Sequence, residues 1–363
     1  MSEQEKELRV LRDRIDAIDS QIHQLLNDRA RCAQSVAEVK LKYQGVQNAV
    51  FYRPEREAQV LRKVMERNEG PLPDEYVARL FREIMSVCLA YEQPMRVAFL
   101  GPEGTFTHNA AIKHFGQSAK GVPLNSLNDV FREVQAGGAS YGVVPIENSS
   151  EGMETHTLDL FRRYDLKICG EVEVPVHYHL LAKQGEALSS ATRVVAHQQT
   201  FAHCRLWLDQ NLSGVERVIV NSSAEAAKLA NDSDGSIVAI ASDMAAELYA
   251  LGALVKNIED LPGGFTRFLI VGTQDVGTSG QDKTSVLVAT ENKAGALYRL
   301  LEPFYAHDIS LTRVETRSKG SESLFYIDFE GHADDDAIAQ VLDKMKQGTV
   351  ELKVLGSYPQ AVL

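Results

Sequence analysis

Four charged side chains fall on the apolar faces of the helices that the first 93 residues predict. At about 100° of rotation per residue, Arg29 and Lys40 point in the same direction as the leucines and isoleucines of a long N-terminal helix. Glu57 lies in the apolar stripe of a second helix, and Glu92 follows Cys88 by four residues on a third. For any one of them, an internal salt bridge or a side chain that snorkels to the surface is the simpler explanation. Because buried charges are costly unless paired or used, four of them favour a polar pocket that prefers anions.

A second group of polar residues stands at turns further along the chain. The segment "LPGGFTRFLIVG" places Thr266 between two phenylalanines, where a Gly-Gly turn enters an apolar strand. The segments "GPEGTFTHNA", "ENSSEG" and "HQQTFAHC" each follow a predicted strand. Taken singly, each could be an ordinary turn or helix cap, and Thr266 an ordinary strand residue. Ligands of α/β folds bind beyond the carboxyl ends of strands, which makes these loops the second candidate site.

The segment that must position the four charges, residues 1–93, is predicted to be wholly helical. Between residues 8 and 42 there is no Gly or Pro, and apolar residues recur at spacings of three and four. Such a helix would be roughly 50 Å long, too long for a small monomer to cover. A second helix begins at Pro54, which suits a first helical turn, and a third begins at Asp74. These features predict an all-α domain that forms an intertwined dimer.

From residue 96 the pattern changes to alternating strands and helices, which predicts a mainly parallel sheet covered by helices over residues 95–273. The predicted helices cover residues 107–116, 127–137, 200–211, 223–231 and 243–250. The predicted strands are "RVAFLG", "YGVVPIENS", "LKICGEVEVPVHYHLLA", "TRVVAH", "RVIVNS" and "SIVAIAS". The last segment, residues 283–363, reads β, α, β, β, α, β, which is the α+β order called ferredoxin-like.

Composition limits the class of protein and of partner. A chain of 363 residues, 44% hydrophobic and 24% charged, suits two or three globular domains. Its net charge of -12 argues against nucleic acid or an anionic membrane as partner, so an anionic ligand must meet locally concentrated cations. There is no signal-peptide pattern, and no apolar run approaches the roughly 20 residues that cross a bilayer. We therefore expect a cytoplasmic protein.

The cysteines and histidines do not form a recognisable metal pattern. The four cysteines lie far apart with no Cys-x-x-Cys pair, which favours reduced thiols. The polar cluster with the best claim to a metal fits no common zinc spacing; its members are His177, His179, His197, His203 and Cys204. We expect neither a metal nor a cofactor.

Four segments of the helical region, "LRDRIDAID", "RARCAQSVAEVK", "RPEREAQVL" and "RLFREIMSVCLAYEQ", resemble the all-helical chorismate mutase domain. The resemblance implies a pocket in a dimer where Arg12, Arg29 and Lys40 hold the carboxylates and ether oxygen of the substrate. It implies that Glu57 binds the ring hydroxyl and that Glu92 faces the ether oxygen. The remaining residues of the implied substrate-binding set are Arg53, Arg56 and Cys88.

The chemistry of that family needs charge and shape rather than a nucleophile. Chorismate rearranges to prephenate within one molecule, and the protein holds a chair-like conformer while stabilising negative charge on the ether oxygen. Lys40 and Glu92 would be the catalytic residues. Arg12 lies roughly 25 Å along the helix from Arg29, too far for one small ligand, so it would come from the second subunit.

The segments "GPEGTF", "GVVPIENSSEG", "TLDLF" and "TRFLIVG", in this order, resemble prephenate dehydratase, a two-lobed domain with its active site in the cleft. The resemblance implies a central catalytic role for Thr266. It also implies a cleft lined by Thr105, Thr107, Asn148, Ser149, Thr157, Arg267 and Phe268. A threonine hydroxyl is a poor acid alone, but it can donate a hydrogen bond to the departing hydroxide of prephenate and pass on a proton.

The segments "NKAGALYRLLEPF" and "LTRVETRSKGSESLFYIDFEG" resemble the regulatory domain called ACT, which is fused to prephenate dehydratases for phenylalanine sensing. Gly295 opens a predicted helix whose free N–H groups suit a ligand carboxylate. The resemblance implies an effector site formed by Asn292, Gly295, Ala296, Leu297, Glu315, Thr316 and Arg317. A dimerising domain without a ligand is the alternative.

The three resemblances together cover nearly the whole chain and imply a bifunctional enzyme of phenylalanine biosynthesis. It would convert chorismate to prephenate and prephenate to phenylpyruvate, under feedback by phenylalanine, as a homodimer or a dimer of dimers. Two alternatives stay open at this point. One is dehydration of arogenate, the aminated relative of prephenate, and the other is a non-catalytic two-lobed ligand sensor whose helical segment only dimerises.

Overall fold

The N-terminal region is helical throughout, in a computed structural model that describes residues 2–45, 49–319 and 322–363. Helix α1 spans Glu3–Gln44, α2 spans Pro54–Glu66 and α3 spans Asp74–Glu92. Ser2 and Glu5 form a reciprocal capping box at the start of α1, and Gly45 ends it with a φ of 75°. Because α1 has 42 residues, it is about 63 Å long. The three predicted helices, with α2 beginning at Pro54 and α3 at Asp74, are confirmed.

Most of the apolar face of α1 has no cover within one chain. Ala37 is the only buried residue of this helix, whereas Leu11, Ile15, Ile18 and Ile22 are all exposed. Helices α2 and α3, in contrast, each bury part of their apolar face, because they pack on each other and on the rest of the molecule. An uncovered apolar stripe of this length is what an intertwined partner would bury.

The first α/β lobe contains a six-stranded sheet of order β2-β1-β3-β11-β5, with β4 beside β3. The strands are β1 Arg96–Leu100, β2 Lys120–Leu124, β3 Tyr141–Asn148, β4 Gly152–Met153, β5 Lys167–Pro175 and β11 Phe265–Gly272. The helices are α4 Phe106–Phe115, α5 Leu127–Gln135 and α6 Thr155–Arg163. Strand β11 runs antiparallel between β3 and β5, and it therefore brings the Thr266 segment beside the "ENSS" segment.

The second lobe contains a five-stranded sheet of order β10-β6-β9-β7-β8. Its strands are β6 His179–Lys183, β7 Arg193–His197, β8 Glu216–Val220, β9 Ile237–Ala241 and β10 Leu251–Val255. Its helices are α7 Gln198–His203, α8 Arg205–Asn211, α9 Ser223–Asp232 and α10 Asp243–Leu248. The chain enters this lobe after β5 and returns to the first lobe at β11, so two crossings join the lobes.

The C-terminal region forms a four-stranded antiparallel sheet of order β13-β14-β12-β15. Its elements are β12 Asp282–Glu291, α11 Ala296–Ala306, β13 Leu311–Lys319, β14 Glu322–Glu330, α12 Asp336–Gly348 and β15 Glu351–Pro359. One face packs under α11 and α12, and the other packs on the first lobe through residues such as Leu287 and Tyr326. The predicted β, α, β, β, α, β order is confirmed; Gly320 and Ser321, inside the second ACT-like segment, lie outside the described residues.

Two expectations about the α/β region are wrong. The sheets are mixed rather than mainly parallel, because β11, β6 and β10 pair antiparallel to their neighbours. The apolar run from residue 166 to residue 182 is two strands, β5 and β6, which belong to different sheets. Alternation alone does not reveal that a continuous apolar run leaves one sheet and joins another.

None of the helices in the described part of the chain has both the length and the apolar character needed to cross a bilayer.

Candidate active sites

A cavity of about 450 Å³ lies between the C-terminal half of α1, the segment before α2, α2 itself and α3. Most of the residues that the resemblance assigned to the mutase site line it, together with apolar neighbours. The charged and thiol members are Arg29, Cys32, Lys40, Arg53, Arg56, Glu57, Cys88 and Glu92. Four cations and two carboxylates around one cavity make it a site for a small, negatively charged ligand.

Burial shifts the pKa values of Lys40 and Glu92, which both line this cavity. It lowers the pKa of Lys40, although Glu92 opposes the effect, and Lys40 Nζ donates to the carbonyl of Phe51 at 3.2 Å. It raises the pKa of Glu92 above the ordinary 4.5, against the pull of Lys40 and Arg29. The Glu92 carboxyl is therefore easier to protonate than an exposed one, and in that form it can donate a hydrogen bond.

The carboxylate of Glu57 forms an ion pair with Arg82, a residue that the sequence analysis did not identify. Arg82 Nε lies 3.4 Å from Glu57 Oε1, and Arg82 Nη1 donates to the carbonyl of Lys113 in α4 at 2.8 Å. Burial raises the pKa of Glu57, and Arg82 partly offsets this. Arg82 follows Ala78 by four residues on the buried face of α3, so the spacing that revealed Glu92 could have revealed it too.

Arg12 lies outside this cavity. It sits on the exposed N-terminal half of α1, 17 positions before Arg29, about 25 Å along the helix axis. Within one chain the two guanidinium groups therefore do not meet. The predicted contribution of Arg12 to a pocket requires a second copy of the chain.

Thr266 and Asn148 meet at the edge of the first lobe. The two residues are cross-strand partners on β11 and β3, and Asn148 Nδ2 donates to Thr266 Oγ1 at 3.0 Å. The Asn148 amide can have only this orientation, because its Oδ1 accepts hydrogen bonds from the backbone N–H groups of Ser150 and Glu151. The Thr266 oxygen is thus occupied as an acceptor, and its proton is left to be donated.

A cleft of about 350 Å³ lies between the two lobes, and it is lined by residues two positions away from this pair rather than by Asn148 and Thr266 themselves. Ser150 and Gly264 line its first-lobe side, and Tyr178 and His203 line the other. The lobes touch across it through Glu151, which accepts from Gln199 Nε2 at 2.6 Å and lies 3.4 Å from His203 Nε2. Sequence reasoning noted His203 but missed Tyr178 and Glu151, whose roles depend on how the lobes face each other.

Three of the predicted cleft hydroxyls have structural hydrogen bonds. Thr105 accepts from the backbone N–H of His108 as the N-cap of α4, and Ser149 Oγ accepts from the N–H of Phe265 at 2.9 Å. Thr157 is fully buried and donates to the carbonyl of Pro145 at 2.7 Å. Thr107 is also buried, in the first turn of α4. Of these, Ser149 is the exposed residue nearest to Thr266 in the sheet register.

Arg267 and Phe268 were predicted to line the cleft, but neither does. Successive side chains of a strand point to opposite faces, so Arg267 lies on the face away from Thr266. There it donates to Glu171 at 2.8 Å and to Asp328 at 2.6 Å, against the C-terminal sheet. Phe268 returns to the face of Thr266, but it is 1% exposed and packs in the core of the first lobe.

The predicted effector residues lie at one end of the C-terminal sheet. Gly295 caps α11 with a φ of 78°, a conformation that favours glycine, and Asn292, Gly295 and Leu297 are exposed around it. Glu315, Thr316 and Arg317 follow one another on β13. Arg317 is engaged with the first lobe, where it donates to Asp159 of α6 at 2.9 Å. Ala296 begins α11 and is half-buried.

The histidines considered for a metal have protein partners instead. His177 Nδ1 lies 2.8 Å from Glu259, His179 Nδ1 accepts from the backbone N–H of Asn257 at 3.1 Å, and His197 caps α7. Among the described residues, no three potential ligands converge as a metal site would require.

These elements define a class of multidomain enzyme: a helical domain with a cationic pocket, a two-lobed α/β domain with a cleft between its lobes, and a C-terminal α+β domain. Two family models match the chain, "Chorismate mutase type II" over residues 11–93 and "Prephenate dehydratase" over residues 97–276. The chain belongs to the bifunctional chorismate mutase/prephenate dehydratase family. This membership confirms the two catalytic domains predicted from the sequence.

The relatives match along the whole chain. The bifunctional chorismate mutase/prephenate dehydratase of Stutzerimonas stutzeri is 53% identical over 367 residues, covering 100% of both chains. That of Aquifex aeolicus is 41% identical, covering 99% of both. The crystal structure of prephenate dehydratase from Arthrobacter aurescens, in complex with L-Phe, has a TM-score of 0.68 at 34% identity. It covers 73% of this chain, and this chain covers 90% of it.

Proposed function

We propose that the helical cavity rearranges chorismate to prephenate and that the cleft beside Thr266 converts prephenate to phenylpyruvate. The observation that carries the first assignment is the convergence of Arg29, Lys40 and Glu92 on one cavity of about 450 Å³. The second rests on the Asn148–Thr266 hydrogen bond at the edge of the interlobe cleft. The two sites lie in different domains, so each activity can be removed without the other.

In the helical cavity, catalysis is electrostatic. Arg29 binds a substrate carboxylate, and Lys40 donates to the ether oxygen as the carbon–oxygen bond breaks and negative charge develops there. Protonated Glu92 donates to the same oxygen from the other side, a role supported by its raised pKa. Glu57, fixed by Arg82, accepts the ring hydroxyl. Arg53, Arg56 and Cys88 complete the wall, and Arg12 enters from the second subunit.

At the interlobe cleft, the electron pair of the bond to the departing carboxylate enters the ring and expels the ring hydroxyl. Carbon dioxide and water leave, the ring becomes aromatic, and one proton must be supplied to the departing oxygen. Thr266 donates a hydrogen bond to that oxygen while Asn148 occupies its own acceptor site. Thr105, Thr107, Ser149 and Thr157 support the surrounding loops rather than the reacting atoms.

The C-terminal region is an ACT domain that senses phenylalanine. The proposal is supported by its βαββαβ order and by the relative from Arthrobacter aurescens, whose structure holds L-Phe. The N–H groups at the start of α11, exposed around Gly295, suit the effector carboxylate. The remaining effector residues are Asn292, Ala296, Leu297, Glu315, Thr316 and Arg317.

The chain works in the cytoplasm as a homodimer or a dimer of dimers. The exposed apolar stripe of α1, 42 residues long, supports the dimer, because solvent exposure of such a stripe is unfavourable. The substrates and the effector are small molecules, and the net charge of -12 agrees with the absence of a nucleic-acid partner.

The experiment that tests the proposal is a coupled assay on the purified full chain. Chorismate is supplied, its absorbance is followed, and alkaline phenylpyruvate absorbance is read in the same samples with and without phenylalanine. We expect chorismate to disappear, phenylpyruvate to form, and phenylalanine to slow the second step. In a parallel assay, arogenate is supplied instead of chorismate and the formation of phenylalanine is measured. Absence of turnover in every arm would favour a non-catalytic sensor.

A further inference from the structure

Four alternating charges join the C-terminal sheet to the catalytic strands of the first lobe. In the first lobe, Arg267 of β11 and Glu147 of β3 are cross-strand partners. In the C-terminal sheet, Arg313 of β13 and Asp328 of β14 are cross-strand partners. Arg267 Nη1 donates to Asp328 at 2.6 Å, and Arg313 Nη1 lies 2.7 Å from Glu147 Oε1. Each arginine therefore binds a carboxylate of the opposite sheet, and the four residues form a charge square.

The Arg267–Asp328 side of the charge square is buried and fully bonded. The two side chains are 5% and 0% exposed. Arg267 also donates to Glu171 at 2.8 Å and to the hydroxyl of Tyr358 at 3.1 Å, while Ser285 Oγ donates to Asp328 at 2.6 Å. Burial alone would lower the pKa of Arg267, but these partners hold it above its ordinary value. A buried pair with all its partners present fixes the two sheets at this point.

The Arg313–Glu147 side is built differently. It is one ion pair, and the Arg313 side chain is 32% exposed. Arg313 lies two residues before Glu315 on β13, the strand that carries three of the proposed effector residues. At its other end, Glu147 immediately precedes Asn148, the residue that binds the Thr266 hydroxyl. Successive side chains of a strand point to opposite faces, so Glu147 and Asn148 are connected to each other through the backbone of β3.

We propose that Arg313 and Glu147 are positioning residues of the dehydratase site, through which the C-terminal sheet sets the Asn148–Thr266 hydrogen bond. The inference rests on the proposed function, since it takes Thr266 as the dehydratase donor and phenylalanine as the effector. The buried side of the charge square holds the two sheets together, and the half-buried Arg313–Glu147 side follows β13. An effector that shifts β13 then changes the geometry at Thr266 and leaves the helical cavity untouched, which is a coupling between two distinct sites.

The chain offers a matched control for the Arg313–Glu147 pair. Arg162 of α6 also bridges the first lobe to the C-terminal sheet, through an ion pair of 2.9 Å with Glu351 of β15. Its side chain is 34% exposed, close to the value for Arg313. Neither Arg162 nor Glu351 is adjacent in sequence to Asn148 or Thr266. Arg162→Gln therefore removes a similar interdomain contact without reaching the catalytic strands.

The test compares full-length Arg313→Gln, Glu147→Gln, the double variant and Arg162→Gln. We expect Arg313→Gln to lower the dehydratase kcat about tenfold with little change in KM, because a misplaced donor acts on the transition state. Glu147→Gln should do the same, and the double variant should be no worse than either, because the pair acts as one unit. Arg313→Lys, which keeps the positive charge, should retain most of the wild-type dehydratase kcat. Mutase kcat, read in the same samples, should stay unchanged throughout.

The phenylalanine response provides the second measurement. In Arg313→Gln, calorimetric binding of phenylalanine should match that of the wild type, while the fractional inhibition of dehydratase by saturating phenylalanine falls. Equal dehydratase kcat in Arg313→Gln and Arg162→Gln overturns the proposal, and so do additive losses in the double variant or an unchanged inhibition. A wild-type protein that does not convert prephenate overturns the proposed function instead, so the two failures are distinguishable.

Discussion

The side-chain amide of Asn148 donates a hydrogen bond of 3.0 Å to the hydroxyl oxygen of Thr266. Its carbonyl oxygen is held on the other side by the N–H groups of Ser150 and Glu151, which excludes the flipped amide. A hydroxyl has one proton to give, and an accepted bond at its oxygen leaves that proton for another acceptor. In the proposed dehydratase reaction, that acceptor is the departing oxygen of prephenate.

Asn148→Asp reverses this arrangement with almost no change in shape. An ionised carboxylate only accepts hydrogen bonds, so it takes the Thr266 proton for itself. We expect phenylpyruvate formation to fall by about 100-fold or more, and to fall further than in Asn148→Ala, where the Thr266 proton stays available. Initial rates with saturating prephenate measure this difference. A faster Asp variant than Ala variant would contradict the direction assigned to the hydrogen bond.

Thr266→Val removes the hydroxyl and keeps the branched shape in the strand. The dehydratase kcat should fall by about 100-fold or more, because the donor to the leaving oxygen is lost. Thr266→Ser keeps a hydroxyl and is the control, with a much smaller loss expected. Chorismate consumption should not change, because its site lies in the helical domain. If both activities fell while circular dichroism showed an intact fold, the separation of the two sites would be wrong.

The helical site could be read from sequence because its signal is local. A charge within a stripe of period 3.6 is visible in one helix at a time, and Arg29, Lys40, Glu57 and Glu92 all line one cavity in the structure. Arg82 escaped notice, although it obeys the same spacing, because its partner Glu57 is on a different helix. The periodicity of a helix predicts which face is buried, but not which residues of other helices pack against that face.

The dehydratase region was harder to read because its contacts are between strands distant in sequence. The motif places Arg267 next to Thr266, and proximity in sequence suggested one cleft for both. Strand alternation sends them to opposite faces, and Arg267 instead meets Asp328 of a domain that begins after the motif ends. The antiparallel entry of β11 between β3 and β5 was equally invisible, since neither neighbour adjoins it in the chain.

The mutase rate should depend on pH through Glu92. Burial raises its pKa above the ordinary 4.5, so its donor form persists to higher pH than for an exposed carboxyl. As pH rises through the raised pKa, the Glu92 carboxyl loses its proton, the donor is lost and mutase kcat falls. Glu92→Gln donates at every pH and should flatten this limb of the profile. A wild-type kcat that does not change between about pH 5 and about pH 9 would falsify the assignment.

Mutase activity should be partly recovered in hybrid dimers that combine one subunit of each of two inactive variants. If Arg12 reaches the cavity of the partner, a hybrid of Arg12→Ala and Arg29→Ala subunits has one cavity with both arginines and one with neither. Random mixing makes half of the dimers hybrid, so about a quarter of wild-type activity is expected. The measurement is mutase rate after the two proteins are unfolded together and refolded, beside each refolded alone. No recovery in a sample of dimeric size would place Arg12 outside the shared site.

Thermal stability in mild acid should depend on His114, which lies where the helical domain meets the first lobe. The ring is buried, and its Nε2 lies 3.0 Å from the hydroxyl of Tyr52. Burial, with a smaller effect from Arg82, lowers its pKa well below the ordinary 6.5. Below pH 6.5 the ring is protonated in the unfolded chain but stays neutral in the folded chain. The contribution of His114 to the free energy of unfolding is therefore complete above pH 6.5 and is lost as pH falls toward the folded pKa.

His114→Gln isolates this contribution, because glutamine can bond to Tyr52 but does not titrate. The wild type should lose up to about 1.4 kcal/mol of stability per pH unit below 6.5 relative to the variant. Melting temperatures of both proteins at several values between pH 7.5 and about pH 5.5 measure the difference, and carboxylates that titrate in both cancel. A constant gap between the two curves would mean that the ring accepts a proton as readily in the folded state as in the unfolded state, contrary to the effect of burial and Arg82 on its pKa.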